Sequence, residues 1–203
     1  MSQSFVSAFR RRLYIMSALL LAACASTPSL TASWRDPTLA GPLPGKLIVV
    51  GVTQSDTARR VFEDGFAQAL RTVGRDTLAS HTVAGESGQI SDERMKQAVI
   101  ASGAAGVFTA RVAHVDQKVD VVPGMAPAYA GRGFYGWYGS AWAMSQPEVM
   151  QYQEATIETT LWDVKTDRVV WTGTTRTTET NPAKVTEGLA KVLIDKMRAD
   201  GVI

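Results

Sequence analysis

A chain of 203 residues, 45% apolar and 20% charged, is long enough for one domain with a real core. Residues 1–23 hold three of the 21 basic residues and none of the 19 acidic ones, so the rest carries 18 against 19 and a net charge of −1. That balance gives nothing to suggest nucleic acid or an anionic surface as partner, and a single cysteine excludes both a disulfide framework and a thiolate metal site.

Arg10, Arg11 and Arg12 form a basic start, and Leu13 to Leu21 an apolar run. Ala22 and Ala23 follow, and then the only cysteine, Cys24. This is the layout of a secretory signal. The apolar run is about half of the roughly 20 residues a membrane-spanning helix needs. Leu21-Ala22-Ala23-Cys24 resembles a lipobox, which implies cleavage before Cys24 and its lipidation. An ordinary signal followed by an incidental cysteine is the plainer alternative.

Residues 24–45 read as a flexible tether, small, polar and rich in Pro and Gly. Within it, Trp34-Arg35-Asp36-Pro37 is expected to dock Trp34 on the domain, the sharper alternative being a partner epitope. The domain is expected over residues 46–203. Lys46 to Thr53 is the first strand, and its unbroken run Leu47 to Val50 predicts burial on both faces. Ser55 or Asp56 caps a helix to about Val73, stopped by Gly74. Its apolar stripe is Ala58, Val61, Phe62, Phe66, Ala69, Leu70 and Val73, which leaves Arg59, Arg60, Glu63, Asp64 and Arg71 to face water.

A short strand near Asp76 to Ser80 and a loop from His81 to Ile90 come next. Ser91 caps a second helix that buries Met95, Ala98 and Val99 and ends at Gly103. Ala105 to Val122 is a long strand. Gln151 to Val164 and Val169 to Thr178 form a threonine-rich hairpin around the turn Lys165 to Arg168. Asn181-Pro182 starts a last helix, which runs to about Ala199. The order βαβαβ–ββα predicts a single α/β (α+β) domain. Its mixed sheet has about five strands in the order 2-1-3-4-5, with three helices distributed on both faces.

No stretch carries a convincing catalytic constellation. The first βα turn, Gly51 to Asp56, lacks both glycine-rich phosphate cradles. His81 and His114 have no visible third metal ligand, and His114 reads as a strand histidine satisfied by a neighbour. Glu154 and Glu158 share a strand face, and a carboxylate pair can hydrolyse glycosides. Solvent-facing partners of Arg176 or lysines are the simpler reading. No cofactor and no metal are expected.

Pro123 to Met150 is unlike the rest. Its 28 residues contain Tyr129, Phe134, Tyr135, Trp137, Tyr138 and Trp142, five glycines and only two charges, Arg132 and Glu148. These aromatics are the candidate contacts for a protein partner, or for a glycan or lipid stacked on Trp137 and Trp142. A loop folded over an exposed sheet face is the bland alternative.

Taken with Lys46-Leu-Ile-Val-Val-Gly-Val, Arg59-Arg60-Val-Phe-Glu63 and Leu161-Trp162-Asp163-Val164, these features resemble a family of small Gram-negative lipoproteins of unknown function. The resemblance implies no assigned activity. Ala25 after the cysteine implies sorting to the outer membrane, with the domain facing the periplasm. The leading expectation is therefore a non-enzymatic module, held to the membrane by lipidated Cys24, that binds another envelope protein through the hairpin edge or the aromatic loop. A glycan- or lipid-binding module is the second expectation and a hydrolase the third.

Overall fold

The computed structural model describes residues 27–85, 91–122, 133, 137–138 and 148–203. The chain order is β1 (Ser29–Arg35), β2 (Lys46–Val52), α1 (Asp56–Thr72), β3 (Thr77–Ala79), α2 (His81–Ala84), α3 (Asp92–Ser102), β4 (Ala104–Val122), β5 (Glu148–Asp163), β6 (Arg168–Thr177) and α4 (Pro182–Ala199). Among the described residues the strands form one mixed sheet in the order β1-β6-β5-β4-β2-β3. β2 pairs in parallel with β3 and β4, and the other pairs are antiparallel. The expected α/β class and the relative order of five strands stand. A sixth strand and a one-turn helix are added.

Local signals set the helix ends. The Ser55 side chain accepts from Ala58 N–H, and Gly74 follows α1 at φ 86°. The Ser91 side chain accepts from Arg94 N–H, and Gly103 closes α3 in the left-handed region. Asn181 Oδ1 takes the first free N–H groups of α4, from Ala183 and Lys184, with Pro182 just inside.

The apolar run in β2 behaves as its composition requires. Leu47 and Val49 enter the main core beneath α1 and α4, while Ile48 packs on the opposite face with Val99 of α3. The main core gathers Phe66, Leu70, Phe108, Leu161, Trp171, Leu189, Leu193 and Met197. Phe66 and Phe108 stack with centroids 4.4 Å apart. Burying each such side chain contributes about 1.5–3 kcal/mol.

Residues 29–45 are not tether. Residues Ser29–Arg35 pair with β6 from Ser29↔Arg176 to Arg35↔Trp171. Beyond β1, Asp36 N–H donates to Val170 O, and Leu43 N–H donates to Val202 O. Leu43 itself is buried in the main core. Arg75 donates to the carbonyls of Leu43 and Gly45. β1 has no fully buried side chain, and of its residues Leu30 packs partly against the main core, so backbone pairing does most to hold it and no apolar alternation marks it in the sequence. Trp34 is 48% exposed and does not dock. The neighbouring Arg35 and Asp36 fasten this corner, Arg35 donating to Leu39 O and Asp36 accepting from Thr38.

Candidate functional site

The charged face expected on α1 is partly buried. Arg59 and Glu63 are inside, because the 59–63–66–70 spacing turns them toward the sheet along with Phe66 and Leu70. Glu63 sits at the C-terminal ends of β2 and β3, where strand N–H groups leave the ladder. Its Oε1 accepts from Gly51 N–H at 3.0 Å and Ser80 Oγ at 2.6 Å. Its Oε2 accepts from His81 N–H and lies 2.9 Å from His81 Nδ1. His81 Nε2 lies 3.4 Å from Asp64. The residue expected in a loop thus opens α2 and bridges two carboxylates. One carboxylate ties β2, β3, α1 and α2 together, which is a structural use of charge rather than an open catalytic site.

The carboxylate pair considered for hydrolysis faces cations. Arg111 Nη2 lies 2.5 Å from Glu158, and Glu154 lies 3.9 Å from both Lys118 and Arg176. His114 Nε2 is 2.9 Å from Asp116, and that hydrogen bond holds the Asp116 carboxyl below the ordinary range. Among the described residues no three His, Cys, Asp or Glu side chains group as metal ligands.

Of the residues singled out for binding, Cys24, Tyr129, Phe134, Tyr135 and Trp142 lie outside the described residues. Trp137 and Tyr138 are helical; Trp137 N–H donates to Gly133 O at 3.1 Å, and Tyr138 is half exposed. The hairpin edge expected as a partner surface is closed, because β1 covers β6.

Two features escaped the sequence reading. The first is a groove of about 520 Å³ between α1 and α4. Gly65, Ala69, Ala190 and Ile194 line it, and Gln68, Glu187, Lys191 and Asp195 contribute polar groups. A Cβ on Gly65 would lie 2.8 Å from Thr186 Cγ2, so the close approach of these helices depends on that glycine.

The second is a ribbon. β4 and β5 pair from Gly106↔Asp163 to Val122↔Glu148, whereas β2 leaves β4 at Arg111 and β6 leaves β5 at Ala155. Among the described residues the two strands therefore continue without further partners. A bulge between Val112 and His114 inserts one residue and shifts the alternation of β4. Val115, not His114, then continues the face of Phe108 and Ala110, opposite Ala155. A smaller slot of about 240 Å³ opens at the ribbon's base, lined by Phe62, Val112, Ile157, Val185 and Leu189.

Residues 79–197 match the family model described as a domain of unknown function (DUF4136). The chain belongs to that family. No curated protein matches it. Among solved structures it is similar to a PelC dodecamer from Paraburkholderia phytofirmans, with 17% identity and a TM-score of 0.43, covering 82% of this chain and 94% of that one. It is also similar to lipoprotein GNA1162 from Neisseria meningitidis, with 10% identity and a TM-score of 0.41, covering 77% of this chain and 99% of that one. The family description assigns no activity.

Proposed function

We propose that this chain is a non-enzymatic, lipid-anchored cell-envelope protein that binds another protein through the α1–α4 groove. The groove is the observation that carries the reading. Its apolar floor and polar rim have the anatomy of a surface that receives a helix or an apolar segment of a partner. Leu21-Ala22-Ala23-Cys24 supports the anchor. The pairing of Glu154 and Glu158 with cations, and the engagement of Glu63 by backbone donors, favour binding over hydrolysis.

Photocrosslinking in cells tests it. A photoreactive residue at Gln68 or Lys191, on the groove, should trap one defined protein. The same group at Ile100, 65% exposed on α3, should trap none. Val73→Glu, at the end of the groove, should abolish the adduct without lowering the melting temperature. Equal adducts at Gln68 and Ile100, or none at either groove position, would overturn the assignment.

A further inference from the structure

We infer that the free β4–β5 ribbon lies in the membrane interface, with its uncharged face against lipid. This rests on the lipid-anchor reading of Cys24.

The first observation is where the chain enters. β4 and β6 run with β2, while β1 and β5 run against it. The start of β1 and the free end of β4 therefore lie at the same end of the sheet. One row of partners connects them: Ser29↔Arg176, Arg176↔Thr156 and Thr156↔His114. At about 4.8 Å per strand, Ser29 is only about 14 Å across from the ribbon's base. Pro28 is buried, and a Cβ on Gly188 of α4 would collide with its ring, so the entering chain is held at this corner.

The second observation is a comparison of lengths. From Cys24 to Ser29 the chain spans five residues, at most about 17 Å fully extended. Beyond the row of His114, β4 continues for the eight residues Val115 to Val122, about 26 Å. A lipid on Cys24 brings the bilayer closer to this end than the ribbon is long. With this end of the sheet turned to the bilayer, the ribbon has no room to stand upright in water and lies along the surface or enters it.

The third observation is the ribbon's chemistry. On one face Val115, Val119, Val121 and Val149 are 49%, 58%, 59% and 57% exposed. Gln117, Gln151 and Gln153 are the polar residues between them, and that face carries no charge. The opposite face carries the charged and titratable groups His114, Asp116, Lys118, Asp120 and Glu154, with Tyr152 and Met150 among them. A narrow apolar face backed by a charged one is the pattern of an element lying in the interface plane. Among the described residues its two outer edges have no strand partners, and unpaired backbone groups are not tolerated in the hydrocarbon core. These edges and the glutamines limit the depth to the headgroup–acyl boundary.

Lipidation blocks Cys24, so an introduced cysteine is the only free thiol. The lipidated protein, labelled with an environment-sensitive fluorophore at Val119→Cys, Val149→Cys, Lys118→Cys or Ile100→Cys, is placed in phosphatidylethanolamine–phosphatidylglycerol vesicles with brominated acyl chains. Val121→Cys, on the same face, replaces Val119→Cys if that variant misfolds. Co-flotation with the vesicles reads the anchor, and bromine quenching reads the ribbon. Quenching at positions 119 and 149 should exceed that at 118 and 100 by about threefold or more. Protein that floats but shows no quenching at 119, or equal quenching at 118 and 119, overturns the ribbon's placement and leaves the anchor intact. A blue shift without bromine quenching puts the valines against protein instead and overturns it equally. Protein that does not float removes the anchor, and this inference with it.

Discussion

Glu63 shows how one side chain can organise an end of the sheet. It is fully buried yet takes N–H and O–H donors from Gly51, Ser80 and His81. Glu63→Ala leaves the buried Gly51 and Ser80 donors without a partner and should cost about 3 kcal/mol in urea unfolding at neutral pH. Acid should weaken the fold through two other carboxylates. Hydrogen bonds from the Thr38 hydroxyl and N–H hold Asp36 below its ordinary value of 3.8. Burial pushes Asp200 up, but Lys196 Nζ at 2.7 Å and Trp171 Nε1 at 2.8 Å outweigh it, and the net direction is down. A depressed folded pKa means that the unfolded chain binds the proton more tightly. The stabilisation is therefore complete above the ordinary carboxylate value and fades as pH falls through the lower folded values. Asp36→Asn combined with Asp200→Asn should lose stability at neutral pH and show a shallower decline between about pH 5 and pH 2, read by unfolding at each pH.

At the scale of elements, chain signals and packing divide the work. The caps of α1, α3 and α4 and the doubly buried β2 could be read directly, because each depends on residues close in sequence. β1 could not, since its side chains bury almost nothing and its partner is over 130 residues away. Its position is secured at one end by Pro28 against Gly188. Gly188→Val should displace Pro28, and hydrogen exchange should quicken across Ser29–Ser33 while α1 keeps its protection. Unchanged exchange in β1 would mean that the strand does not depend on this contact. The bulge after Val112 was equally hidden. Alternation on β4 showed where valines and charges separate, but the inserted residue decides which set shares the face of α1 and α4.

At the scale of the whole molecule, the start of β1, the mouth of the slot and the base of the ribbon converge on one end of the sheet. The groove runs along the side, between α1 and α4. Under the proposed anchor and partner groove, the domain would be held at its end and engaged at its flank. Cys24→Ser should move the protein from the membrane fraction to the soluble fraction with its melting temperature unchanged. A serine variant still sedimenting with membranes would refute lipid anchoring.

Composition, a lipobox-like tetrapeptide, helix caps and one doubly apolar strand were enough for the α/β class, the order of five strands and the expectation of an anchored domain. These are properties of neighbouring residues, and local chemistry expresses them. The burial of Glu63, the closing of β6 by β1, the groove between α1 and α4 and the free ribbon were decided only in three dimensions. Each depends on groups far apart in the chain meeting at one place, and hydropathy carries no record of backbone pairing or of where a strand outruns its neighbours.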